Sequence, residues 1–203
     1  SPPPVDRDAP RLGRQAKVAV VVAQGAIMGG DQPPGMVGGD STSWLIRQAR
    51  EDDDVRALVL RVDSPGGGVF PSEQIRREVE LTRAAGKPVV VSMANVAASG
   101  GYMIACAADE IYADQSSILG SIGVVSAGFG FTGLIEKLGV ERRVHTAGES
   151  KAMLDPFQPE KPEEVARLKA LQGDVHDYFK KLVSESRGEK LKTDDPEIFS
   201  GAF

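Results

Sequence analysis

Ser99 is the residue whose neighbours best suit it to covalent chemistry. It sits in VAASGGYMIACAAD (96–109), with alanine and glycine around it and an almost unbroken apolar run behind it. A serine hydroxyl is a weak nucleophile until a base takes its proton. Only two histidines occur, His145 and His176, so histidine is scarce as that base. His176 lies among charged residues of a helical pattern, which predicts a solvent-facing ring, and His145 ends a predicted strand. Lysine is the other candidate. In TAGESKAMLDPF (146–157), Lys151 stands beside Met153, Leu154 and Phe157, unlike the lysines of the charged helix that follows. A lysine packed among apolar groups gives up its proton far more readily than a hydrated one and can serve as a base. On spacing alone, a surface lysine in a loop fits this segment as well.

Two glycine-rich stretches could supply the rest of such a site. DSPGGG (63–68) and AASGG (97–101) each follow an apolar, β-branched run. In parallel α/β sheets the carboxyl ends of the strands are where sites assemble. Glycine lets backbone approach a ligand closely, and two such loops side by side could hold a carbonyl oxygen between N–H donors. A helix starting after Ser99 would add the positive end of its dipole. From pattern alone, both stretches also read as tight turns packing small residues.

Other chemistries find little support. A net charge of −5 with no Lys/Arg-rich block argues against a nucleic-acid surface. No CxxC, HExxH or carboxylate pair suggests a metal, and SPGGG lacks the lysine and spacing of a phosphate loop, so neither metal nor cofactor is expected. The lone Cys106 cannot form an internal disulfide and reads as a small core residue. No stretch reaches the roughly 20 apolar residues that span a bilayer.

The elements that must position these residues follow from the hydrophobic pattern. Residues 1–14 (SPPPVDRDAPRLGR) read as a Pro-rich arm, and 15–203 as a single domain. KVAVVVA (17–23) predicts a buried strand, ALVLRV (57–62) a second and PVVVSM (88–93) a third. Residues 29–40 form a glycine/proline loop, after which Ser41–Ser43 are expected to cap a helix carrying Trp44 and Ile46. A helix is predicted from Pro71 to Ala85 with Ile75, Val79 and Leu81 inward, and Asp52–Asp54 reads as a solvated helix end. Further short strands are expected at 110–113, 122–125 and 142–145, with a short helix at 134–138. One long amphipathic helix is predicted over 160–187, opened by Pro162 and closed by Gly188. Its inward stripe reads Val165, Leu168, Leu171, Val175, Tyr178 and Leu182. Strands alternating with helices indicate an α/β fold with a mainly parallel sheet.

Four segments, DSPGGG (63–68), VAASGGYMIACAADEIYA (96–113), GSIGVV (120–125) and HTAGESKAMLDPF (145–157), resemble the signal peptide peptidase A (SppA/SohB-type) family of serine proteases with a Ser/Lys dyad. Their order and spacing are kept, including 52 residues from Ser99 to Lys151. The resemblance covers roughly residues 17–203. It implies Ser99 as nucleophile, Lys151 as general base and Ser121 as the group orienting the lysine. It assigns oxyanion N–H groups to Gly66 and Gly100, in a ClpP/crotonase-like fold. Residues 25–62 resemble the second half of long-form members, and 96–203 the short form, which keeps both dyad residues in one chain.

The implied activity is endoproteolysis of cleaved signal peptides and other unfolded apolar peptides, with no cofactor. The resemblance further implies a cyclic homo-oligomer, an octamer by expectation. It also implies a membrane anchor missing from this chain, which places the domain on the extracytoplasmic side of a bacterial cytoplasmic membrane. Two other readings share the fold type: a crotonase-type acyl-CoA enzyme, for which no carboxylate acid/base or nucleotide pocket is evident, and a non-catalytic assembly scaffold.

Overall fold

A computed structural model describes residues 15–191, 195 and 197–203, so the expected arm at 1–14 lies outside the described residues. The chain divides into two compact units, one running to Gly120 and one from Ser121 to Ala202.

The first unit begins with β1 (Lys17–Gln24), β2 (Ile27–Met28), β3 (Val37–Gly38) and α1 (Gly39–Glu51). It continues with β4 (Val55–Ser64), α2 (Val69–Ala84) and β5 (Val89–Ala98), then α3 (Gly100–Cys106), β6 (Glu110–Tyr112) and β7 (Ile118–Gly120). The main sheet is parallel in the order β1-β4-β5-β6, and β7 pairs with the far end of β5. Alternate residues Leu58, Leu60 and Val62 of β4 and Val89, Val91 and Met93 of β5 are buried, in one cluster with Ile46 and Ala49 of α1 and Ile75 and Val79 of α2. The period of two along the strands and the helical stripe opposite it account for this layer. Cys106 is buried, and Asp52 caps the end of α1 beside Lys17.

Several expectations change. β1 is not buried on both faces: Val21 and Ala23 face the core, but Val18, Val20 and Val22 are 58–62% exposed. The cause is topological, since β1 is the sheet edge and helices cover one face only. The 29–40 loop is bracketed by the short parallel pair of β2 and β3. Helix α1 starts at Gly39, so Ser41–Ser43 lie in its first turns and provide no cap. Glycine is needed at 39 because a Cβ there would meet Pro71 Cβ at 2.7 Å. Leu81 is only half-buried on α2, where Thr82 takes the inward position. The strand expected at 122–125 is displaced to 118–120, where Ile118, Leu119 and Gly120 pair with Val96, Ala97 and Ala98. Ser121, with φ 50°, ends the extended run.

The second unit contains α4 (Thr132–Lys137), α5 (Pro162–Arg187) and a 3-10 turn at Gly188–Lys190. Helix α5 has the expected bounds, with Pro162 at its start and Gly188 at φ 50° past its end. Its buried positions are Phe179, Leu182 and Val183, whereas Leu171 and Tyr178 of the expected stripe are 53% and 39% exposed. No strand forms at 142–145. Arg142 instead pairs with Asp155 at 3.1 Å and lies over the Phe157 ring. His176 is not solvent-facing: its Nε2 donates to Ile122 O at 3.0 Å, and it is part-buried.

Candidate active site

Strand β5 ends at Ala98 and α3 begins at Gly100, leaving Ser99 alone at the junction with φ 51° and ψ −121°. A non-glycine residue there costs about 1–2 kcal/mol. The surroundings impose it from both sides: Ser99 N donates to Gly120 O at 2.9 Å, and Ser99 O accepts from Met103 N at 3.0 Å. Strain at a sharp strand-to-helix turn is how a serine hydroxyl is raised clear of its own backbone. Ser99 is half-buried, while Ala97, Ala98 and Gly100 are buried.

The loop after β4 is pressed against this turn. Gly66 has φ +99°, and a Cβ on it would lie 2.6 Å from Gly100 N and 2.8 Å from both Ser99 Cβ and Ala98 O. A Cβ on Gly101 would lie 2.5 Å from Ser64 O. The small residues of both motifs are therefore required by contact between the motifs. Gly66 carries the N–H expected to serve an oxyanion. Its N–H donates to Ser64 Oγ at 3.1 Å, and the residue is buried. Gly67, like Gly68, is exposed. Ile27 N bonds Gly66 O and Gly68 N bonds Ile27 O, each at 2.9 Å. Alternation along an extended segment then turns the Gly67 N–H to the opposite side. There a Cβ on Gly100 would stand 3.2 Å from Gly67 N. The sequence offers three successive glycines there, and only the bond of Gly66 to Ser64 and the bridge of Gly67 to Ile27 distinguish them.

The second unit carries the other two expected residues. Ser121 adopts φ 50°, and its N–H donates to Ala202 O at 2.6 Å. Lys151 lies on a turn whose N–H bonds Gly148 O at 3.2 Å, and its side chain is exposed. Its neighbours are anchored elsewhere: Leu154, with φ 60°, donates its N–H to Glu164 Oε2 at 3.0 Å, which holds the Glu164 carboxyl below its usual range. Asp155 is likewise held low, first by the Phe157 N–H at 3.0 Å and then by Arg142. Among the described residues no cluster of His, Cys, Asp or Glu is arranged to hold a metal, and no helix is long and apolar enough to cross a membrane.

A serine on a strained strand-to-helix turn, packed against a glycine loop at the carboxyl ends of parallel strands, defines the class of α/β serine hydrolases. A profile of peptidase family S49 matches residues 82–198. A Brucella melitensis protein named Na(+)/H(+) antiporter NhaA is 49% identical over 191 residues, 93% of this chain and 26% of that protein. Protease 4 of Salmonella typhi is 51% identical over 137 residues, 68% of this chain and 22% of the relative. A putative signal peptide peptidase SppA of Enterococcus faecium is 34% identical over 142 residues, 70% of this chain and 41% of the relative.

The chain belongs to peptidase family S49, a family of serine proteases, and its mainly parallel α/β architecture agrees with the ClpP/crotonase-like fold of that family. It spans between 22% and 41% of the length of these three relatives.

Proposed function

We propose that this chain hydrolyses peptide bonds through a Ser/Lys dyad. Ser99 attacks the scissile carbonyl and Lys151 takes its proton. The tetrahedral oxyanion is held by the N–H groups of Gly67 and Gly100, and Ser121 orients the lysine amine. Lys151 returns that proton to the departing amine as the C–N bond breaks, and water activated by the neutral lysine then releases the acyl group from Ser99. The single observation supporting this reading most is the contact of the Gly66–Gly67 loop with the Ser99 turn, since it brings a strained serine and the backbone N–H groups of two glycines together.

Lys151 is exposed on its own turn, open to a packing partner. A cyclic homo-oligomer, an octamer in this reading, supplies one if the lysine of one protomer meets Ser99 of the next. The proposed substrates are cleaved signal peptides and other unfolded apolar segments, in line with the name of the Enterococcus faecium relative. The proposed setting is a bacterial cytoplasmic membrane, with the catalytic domain on its extracytoplasmic side.

A fluorophosphonate probe tests the assignment. Labelling confined to Ser99 and lost in Ser99→Ala supports it. Absence of labelling together with tight acyl-CoA binding would instead favour a crotonase-type enzyme.

A further inference from the structure

Gly66 and Gly67 are consecutive, and only one of their amides can point at a substrate carbonyl. Ser64 makes the choice. It is the last residue of β4, fully buried, and its hydroxyl reaches forward over Pro65 to accept the Gly66 N–H at 3.1 Å. With that donor turned inward, the next amide in an extended chain is turned outward. Ser64 also touches the catalytic turn directly, since its carbonyl packs on Gly101.

The residue before it acts on the other strand. The β4–β5 register shifts between Val62, opposite Met93, and Ser64, opposite Ala97, so β5 carries two more residues than β4 across this break. The Asp63 side chain spans the gap: Oδ1 accepts the Val96 N–H at 3.1 Å and Oδ2 accepts from Asn95 Nδ2 at 3.3 Å. The residues it grips are the last before Ala97, Ala98 and Ser99.

We infer that Asp63 and Ser64 are paired positioning residues, Ser64 selecting the Gly67 amide over that of Gly66 and Asp63 fixing the height at which β5 delivers Ser99. Neither side chain touches the reacting atoms; each acts through a backbone group. This rests on Ser99 being the nucleophile, but the amide selection is a property of the fold and can be measured without activity.

Amide hydrogen exchange resolved to single residues on the full chain, compared among wild type, Ser64→Ala and Ser64→Thr, is the primary test. Gly66 should exchange slowly and Gly67 fast in the wild type. Ser64→Ala should speed Gly66 by about tenfold, and Ser64→Thr, which keeps the hydroxyl, should restore it. Peptide hydrolysis is the second readout. Ser64→Ala and Asp63→Ala should lower kcat by about 10- to 100-fold with KM nearly unchanged. Asp63→Asn keeps an acceptor for Val96 and should stay within about threefold of wild type. Unaltered Gly66 exchange in Ser64→Ala overturns the inference, as does a loss of activity carried by KM. A wild type that hydrolyses no peptide would sink the serine-nucleophile reading, and the exchange result would still decide the role of Ser64.

Discussion

Replacing Gly66 by alanine should damage both stability and turnover, and a second glycine provides the control. Both Gly66 and Gly86 have left-handed backbones, with φ +99° and +80°. Alanine in such a conformation costs about 1–2 kcal/mol wherever it occurs. At Gly86 nothing lies within 4 Å of the new Cβ, so that cost is the whole effect. At Gly66 the Cβ would stand 2.6 Å from Gly100 N and 2.8 Å from Ser99 Cβ, both backbone-anchored. Restoring ordinary contact requires the two loops to part by roughly 0.5–1 Å, and forcing extra volume into a packed site adds about 1–3 kcal/mol. Gly66→Ala should therefore cost about 2–5 kcal/mol against about 1–2 for Gly86→Ala. Because the parting occurs between the proposed nucleophile and its proposed oxyanion donors, turnover should fall by about 100-fold in the Gly66 variant and stay near wild type in the other. Denaturant unfolding and peptide hydrolysis of the two purified variants measure this. If Gly66→Ala loses no more stability than Gly86→Ala, the contact between the loops is not as described.

Ser99→Ala should abolish hydrolysis while leaving the unfolding midpoint close to wild type, because Ala97 and Ala98 already line a site that accepts the smaller side chain; substantial turnover in a pure preparation would remove Ser99 as nucleophile. Lys151→Arg should be inactive although the charge is kept, since a guanidinium stays protonated and cannot act as a base; an active variant would point to another base such as His145. Mixed refolding of Ser99→Ala and Lys151→Ala chains should regain part of the activity if the dyad is shared between protomers, and mixed assemblies that stay dead would place it within one chain. Asp155 supplies a pH test. Its folded-state pKa is lowered, first by the Phe157 N–H and then by Arg142, so its stabilisation is complete above the unfolded value near ~4 and is lost as pH falls through the folded value. Acid unfolding curves of wild type and Asp155→Asn should converge at low pH and separate above it; parallel curves would show that the carboxylate contributes nothing.

Much of the architecture is written in local pattern. Apolar runs of β-branched residues place β4 and β5, and the Pro162 start and Gly188 stop bound α5, because propensity and capping act within a few residues. The site signal in AASGG and DSPGGG is local as well, since small residues are needed wherever two backbones meet. The strands expected at 122–125 and 142–145 failed for a reason outside their own residues. Ser121 is held at positive φ in the first case, and in the second Arg142 is committed to Asp155 and Phe157.

The sequence by itself determined that a serine stands between a buried strand and a short helix, that glycines face it, and that a lysine follows at family spacing. Tertiary structure alone decided which glycine amide is turned outward. Gly66 and Gly67 are chemically the same residue, and what separates them is a hydrogen bond to buried Ser64 on one side and a bridge to Ile27 on the other. It also decided that Val18, Val20 and Val22 remain exposed, because a strand's place at the edge of a sheet is set by every other strand and by no property of its own residues.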